Sequence, residues 1–260
     1  MSVTLEGGCR VSEMREGVPV VNGSLRIWNQ IGRATGAQAI SLRVLEFAPG
    51  LSPTLRNDDS DQILYVVNEV RTACVSGRVN VFVDDQSYEV AADTGIYLRP
   101  NRTFAIENPT SDAIVIISSQ CPDPARDQLF VDEPATSKDS GMTEPVPLVR
   151  LADQKAQSTA DRWYRVLVDN EVGSEQVTQF VGSIPPGRAP DHFHNYEEVL
   201  FILKGEGRMW ADQTNTPISV GSCIYLPKGQ VHCVENTGKG ELRLLGVFYP
   251  AGSPSVRYDV

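Results

Sequence analysis

Short apolar runs recur along the chain, each broken by Gly, Pro, Asn or Asp. Ser41-Leu42-Arg43-Val44-Leu45-Glu46-Phe47, Val79-Asn80-Val81-Phe82-Val83, Ala113-Ile114-Val115-Ile116-Ile117 and Leu242-Arg243-Leu244-Leu245-Gly246-Val247-Phe248 are examples. They are rich in β-branched and aromatic residues, which suit a pleated, half-buried surface. No segment carries a sustained apolar stripe at helical spacing. Many short strands with regular turn signals predict an all-β chain folded as sandwich or barrel.

The pattern occurs twice. Ile96-Tyr97-Leu98-Arg99-Pro100-Asn101-Arg102-Thr103-Phe104-Ala105-Ile106-Glu107-Asn108 aligns without a gap on Ile224-Tyr225-Leu226-Pro227-Lys228-Gly229-Gln230-Val231-His232-Cys233-Val234-Glu235-Asn236. The same register sets Gly77 on Gly205, and Phe47-Ala48-Pro49-Gly50 answers Ile184-Pro185-Pro186-Gly187. Two copies of one β unit are therefore expected, residues 1–120 and 159–260. Residues 121–158, with Pro122-Asp123-Pro124 and Glu144-Pro145-Val146-Pro147, read as a long linker.

Composition narrows the function. Hydrophobic residues make up 41% of 260, enough for a sizeable core. Lys and Arg number 23 against 33 Asp and Glu, a formal charge of −10. No basic run offsets this, so no nucleic-acid partner is expected. Nothing approaches the roughly 18 consecutive apolar residues of a membrane span. Met1-Ser2-Val3-Thr4-Leu5-Glu6-Gly7-Gly8 lacks a basic region followed by an apolar core, so no signal peptide is expected. The five cysteines have no C-x-x-C spacing, which suits reduced thiols and makes cytoplasm the default expectation.

The chain has three histidines, His192, His194 and His232. Alternate side chains of a strand share a face, so His192-Phe193-His194 sets two imidazoles side by side. His232 follows the turn Pro227-Lys228-Gly229-Gln230. With a carboxylate, the set offers N and O ligands to a divalent transition metal, with Fe, Mn, Ni and Zn as candidates. Glu197 and Glu198 both lie close by. The first half has no histidine, and Phe104 stands where His232 stands in the second.

These residues resemble the cupin superfamily, specifically a two-domain bicupin. Gly187, His192-x-His194, Glu198 and Gly205 match its first motif, one residue short between Gly187 and His192. Gly221, Pro227-x-Gly229, His232 and Asn236 match the second. The resemblance implies two tandem jelly-roll barrels (double-stranded β-helices), with a metal held by His192, His194, Glu198 and His232. The motif's spacing to Gly205 selects Glu198 over Glu197. It implies a degenerate N-terminal barrel without ligands, a structural or oligomerisation module, and a homodimer.

Further residues carry expectations. Asp58, Asp59 and Asp61 read as a solvated acidic loop. Cys223 and Cys233 read as core, with Cys233 turned away from the metal. Leu200 and Ile202 share the parity of Glu198 and should line the barrel interior. Arg208 is weighed as a clamp for a substrate carboxylate against a solvated hairpin cation, which is preferred. Tyr196 reads as a rim aromatic. No catalytic residue beyond the ligands is assigned. Function is expected to be that of a metal-dependent enzyme on a small carboxylate- or hydroxyl-bearing molecule, with dioxygenase the leading class. Isomerase, decarboxylase or aminohydrolase chemistry is the alternative, as is a non-catalytic ligand-binding or sensor role.

Overall fold

A computed structural model of the chain describes residues 1–57, 59–67, 69–70, 73–74, 78–84, 86–122, 129–132, 145–159, 162–256 and 258–259. Among these, strands dominate, with four short 3-10 turns and no α-helix. Gly77, Asp58 and much of the linker, including Pro124 and Glu144, lie outside the described residues.

Each half is a barrel of two facing sheets. In the first, a seven-stranded sheet runs in the order Leu148–Arg150, Thr94–Leu98, Asp61–Val66, Ile114–Cys121, Leu42–Phe47, Leu25–Ile31, Val20–Asn22. Opposite it, Arg102–Asn108 sits between Arg78–Val83 and Thr54–Asn57. In the second, an eight-stranded sheet is centred on Ser222–Leu226, Glu197–Lys204, Leu242–Tyr249 and Thr178–Ile184. Its partner sheet is built around His232–Asn236, flanked by Glu206–Ala211 and His192–Phe193. The fold class expected from the sequence, two tandem jelly-roll barrels, is the fold observed.

Strand pairing crosses the divisions read from chain order. Val3–Thr4 and Arg10–Glu13 extend the second barrel's large sheet, where Val11 faces Ile224. Conversely, Leu148–Arg150 pairs with Thr94–Leu98 of the first barrel. The N-terminal strands and the linker strand thus each cover a sheet edge that would otherwise expose unpaired backbone.

The large sheets also explain why so many strands are apolar on both faces. Leu45 and Phe47 point into the first barrel, whereas Leu42 and Val44 join a core shared with Val199, Phe201, Cys223 and Val247 of the second. Period-two alternation is absent from such strands because both faces are buried. The repeat ends each time in an asparagine for one structural reason. Asn108 Nδ2 donates to the carbonyls of Phe47 and Asp112, and Asn236 Nδ2 to those of Ile184 and Gly240.

Candidate metal centre

Three cross-strand relations bring the histidines together. His192 faces His232 directly across the Gly187–Asn236 side of the small sheet. His194 lies two residues on, and the ring centroids are 4.6 to 5.1 Å apart. The turn before His232 is tied to the same segment, since Gly229 N–H donates to the His194 carbonyl at 2.8 Å. Gly229 has φ +80, a conformation that a Cβ would strain.

Every imidazole is oriented through Nδ1. That atom lies 3.0 Å from the Pro190 carbonyl in His192, 3.0 Å from the Val256 carbonyl in His194, and 2.8 Å from the Gln230 carbonyl in His232. A carbonyl only accepts, so each Nδ1 carries the proton and each Nε2 keeps a lone pair. One ligand atom from each of the three lies within 4.8 Å of the other two. Stacking steadies the set further. The His194 ring lies on Tyr196 at 4.6 Å, and Tyr196 lies on Phe248 at 4.2 Å.

The parity of Glu197–Lys204 separates the two glutamates. Glu198 points inward, 4% exposed, with Oε2 3.8 Å from His194 Nε2. Glu197 points to the other barrel, accepting from Gln38 and Ala39 N–H and from Tyr225 O–H. It ties the two barrels together.

Burial dominates the electrostatics. Desolvation pushes the Glu198 carboxyl up to about 8. Desolvation, then the neighbouring His192, lowers His194 to about 4 and His232 to about 3. Near neutral pH, those two imidazoles are neutral and Glu198 holds its proton, so the 3.8 Å contact is not an ion pair. Three imidazoles oriented through Nδ1 and a desolvated carboxyl suit a divalent cation, which would supply the missing charge.

These groups border a cavity of about 130 Å3. Its wall is largely apolar, from Tyr164, Phe180, Ile184, Leu200, Val234 and Leu244, and Arg162 lines it too. Leu200 is where its parity put it, and Ile202 packs in the same barrel core.

The readings for Asp61 and Tyr196 are corrected, whereas the preferred reading of Arg208 and those of the two motif cysteines hold. Arg208 is not among the cavity residues. Gly207, Met209 and Ala211 take the inward positions of its strand, and Arg208 Nε donates to Asn215 instead. Asp61 is not in a solvated loop but buried at the barrel interface. It accepts from Tyr97 O–H at 3.0 Å, and desolvation raises its pKa. Tyr196 is a stacking prop rather than a rim aromatic. Cys223 joins the shared core, and Cys233 faces away from the histidines, its Sγ accepting from Arg188. Cys9, Cys121, Cys223 and Cys233 are free thiols, all buried.

The first barrel shows what replaces the site. Phe104 faces Leu55 as His232 faces His192, and Leu98 faces Gln62 as Leu226 faces Glu198. Leu55, Asn57, Gln62 and Phe104 therefore occupy the four positions. Gln62 donates to Ser118, and Asn57 accepts from Gln120, a neutral buried network. Sequence reading missed this substitution because the connection before Asp61 differs in length between the halves.

Fold and site define an all-β protein of two barrels in which one barrel carries a three-histidine cluster. Residues 180–248 match the family model described as cupin domain, and the chain belongs to the cupin superfamily. It is 32% identical over 83 residues to auxin-binding protein 1 of Arabidopsis thaliana, covering 28% of this chain and 42% of that protein. It is 36% identical over 66 residues to an oxalate-binding protein of Thermotoga maritima, covering 25% and 54%. The chain thus spans about half the length of these curated relatives. Among solved structures, a putative glyoxylate-induced protein of Pseudomonas aeruginosa superposes with TM-score 0.72 at 15% identity, covering 96% of this chain and 91% of that one. Bacillus subtilis oxalate decarboxylase, a protein with Mn(II) centres, superposes with TM-score 0.73 at 14% identity, covering 96% and 79%. At these identities the likeness is one of fold.

Proposed function

We propose that the C-terminal barrel holds one divalent transition metal through His192, His194, His232 and Glu198, and that the protein is an enzyme acting on a small organic acid. The observation that carries this reading is the triple Nδ1–H to carbonyl arrangement, which turns three Nε2 lone pairs to one place before any ion arrives. A bound metal would supply charge to polarise substrate oxygens. The chain's own residues do the rest. The imidazoles and Glu198 fix the head of the substrate, and Phe180, Leu200 and Leu244 exclude water around it.

Within this reading, dioxygenase chemistry is the class that the intact ligand set brings forward. Decarboxylation is the second reading, favoured by the names of the oxalate decarboxylase and the oxalate-binding protein. The protein loaded with Mn(II) or Fe(II) and given a panel of small carboxylic acids separates them. Oxygen consumption in step with substrate loss supports the dioxygenase; carbon dioxide release without net oxygen uptake supports the decarboxylase. Native protein that purifies with a redox-inert ion, active only with that ion, overturns the dioxygenase.

The N-terminal barrel serves as a structural module in this proposal, and the protein works as a cytoplasmic homodimer. The edge strand Val20–Asn22 supports pairing of copies, since Val18, Val20, Val21 and nearby Leu51 are exposed apolar residues.

A further inference from the structure

The candidate cavity has two chemically distinct ends. Strand register lays them out in successive levels. Glu198 faces Phe248, which faces Thr178; Leu200 faces Gly246, which faces Phe180; Leu244 faces Gly182, which faces Tyr164. Arg162 precedes Trp163, whose partner is Ser183, five residues beyond Thr178. At about 3.3 Å per residue, the Arg162 backbone lies on the order of 20 Å along the strands from the level of Glu198. Arg162 also shares its face with Tyr164, two residues on, and Tyr164 is packed in the barrel interior. One cavity is nonetheless lined by His192, His194, Glu198 and His232 at one end and by Arg162 at the other. Between them stand Phe180, Leu200, Tyr164 and Leu244.

We infer that this cavity selects an organic acid of three parts: a chelating head at the histidines, an apolar middle, and a second carboxylate paired with Arg162. The inference rests on the metal-dependent reading above and names its substrate class. A guanidinium presents a planar fork that matches a carboxylate with two parallel hydrogen bonds. The cavity volume of about 130 Å3 approaches the ~150 Å3 of a cavity that takes up benzene, so it accommodates a short hydrocarbon segment. An acid with no apolar middle, such as oxalate, reaches the metal end alone and leaves both the apolar wall and Arg162 unused. Arg162 is a specificity residue in this scheme, and it occupies the role for which Arg208 was weighed from sequence.

The test uses the full chain loaded with Mn(II) and two probes of equal carbon count, 2-oxohexanoate and 2-oxoadipate. They share head and spacer and differ only in a terminal methyl or carboxylate. Affinities are read by calorimetry with and without Mn(II), in wild type, Arg162→Gln and Arg162→Lys. The expected result is at least tenfold tighter binding of 2-oxoadipate by wild type. Arg162→Gln should abolish that preference and Arg162→Lys retain part of it, with Mn(II) affinity unchanged in both. Equal affinity of wild type for the two probes overturns the inference alone, as does a preference that survives Arg162→Gln. Failure of wild type to retain Mn(II) overturns the metal-dependent reading and this inference with it.

Discussion

Metal loading should be coupled to proton release, and Glu198 sets the size of the effect. In the metal-free protein its carboxyl titrates at about 8 instead of the ordinary 4.5, because burial disfavours the charged form. A ligand carboxylate must be ionised, so between those two values each bound ion displaces one proton from Glu198. His194 and His232 titrate at about 4 and about 3, below most of that window, and contribute none of it above pH 5 or so. The apparent affinity for Mn(II) should therefore rise tenfold per pH unit on account of Glu198, about 1.36 kcal/mol per unit. From about pH 5.5 to about 7.5 this amounts to roughly a hundredfold. Competition with a chromophoric chelator gives the pH slope, and calorimetry in buffers of different ionisation enthalpy counts the protons directly. Glu198→Gln should reduce the slope by one proton while weakening binding overall. A wild-type affinity that is flat across this range, or an equal slope in Glu198→Gln, refutes the account of the site.

Three further outcomes follow from the same geometry. His232→Ala should strip the metal, read by elemental analysis after dialysis, and occupancy equal to wild type would remove His232 from the ligand set. Deleting residues 251–260 takes away the Val256 carbonyl that orients His194, and a loss of about 10- to 100-fold in metal affinity is expected, as for other groups that orient a ligand. In chelator-treated protein, thermal stability should peak between the two sets of titrations. The raised Glu198 value makes stability fall as pH rises from 4.5 toward about 8, and the lowered His194 and His232 values make it fall as pH drops below 6.5 toward 4 and 3. A melting temperature that climbs steadily from pH 5 to 8 without metal contradicts this, and added Mn(II) should remove the alkaline decline.

Much of the site was legible because its chemistry is carried by rare residues at short spacing. His192 and His194 share a face by strand parity alone, and the turn Pro227-Lys228-Gly229 positions His232 by local backbone chemistry. The same parity separates Glu198 from Glu197, although it takes the barrel to show that the outward side of Glu197 meets Gln38 and Ala39 of the other half. Arg162 was illegible. It lies 30 residues before His192, just after the segment read as a linker, and nothing in its neighbours marks it. Asp61 misled for the opposite reason, since an acidic, polar stretch normally means solvent, and only the inter-barrel packing buries it against Tyr97.

The sequence by itself therefore determined the all-β class, the duplication, a first half without histidine in which Phe104 aligns with His232, and the four residues proposed to hold the metal, all features written in local period and spacing. Tertiary structure decided which strand covers which edge, so that Arg10–Glu13 closes the second barrel and Leu148–Arg150 the first. It also decided that a backbone carbonyl at Val256 aims His194 and that Arg162 lines the same cavity as the histidines. Such partners are set by the closing of a barrel in three dimensions, where residues far apart in the chain meet through hydrogen bonds and packing that no local pattern encodes.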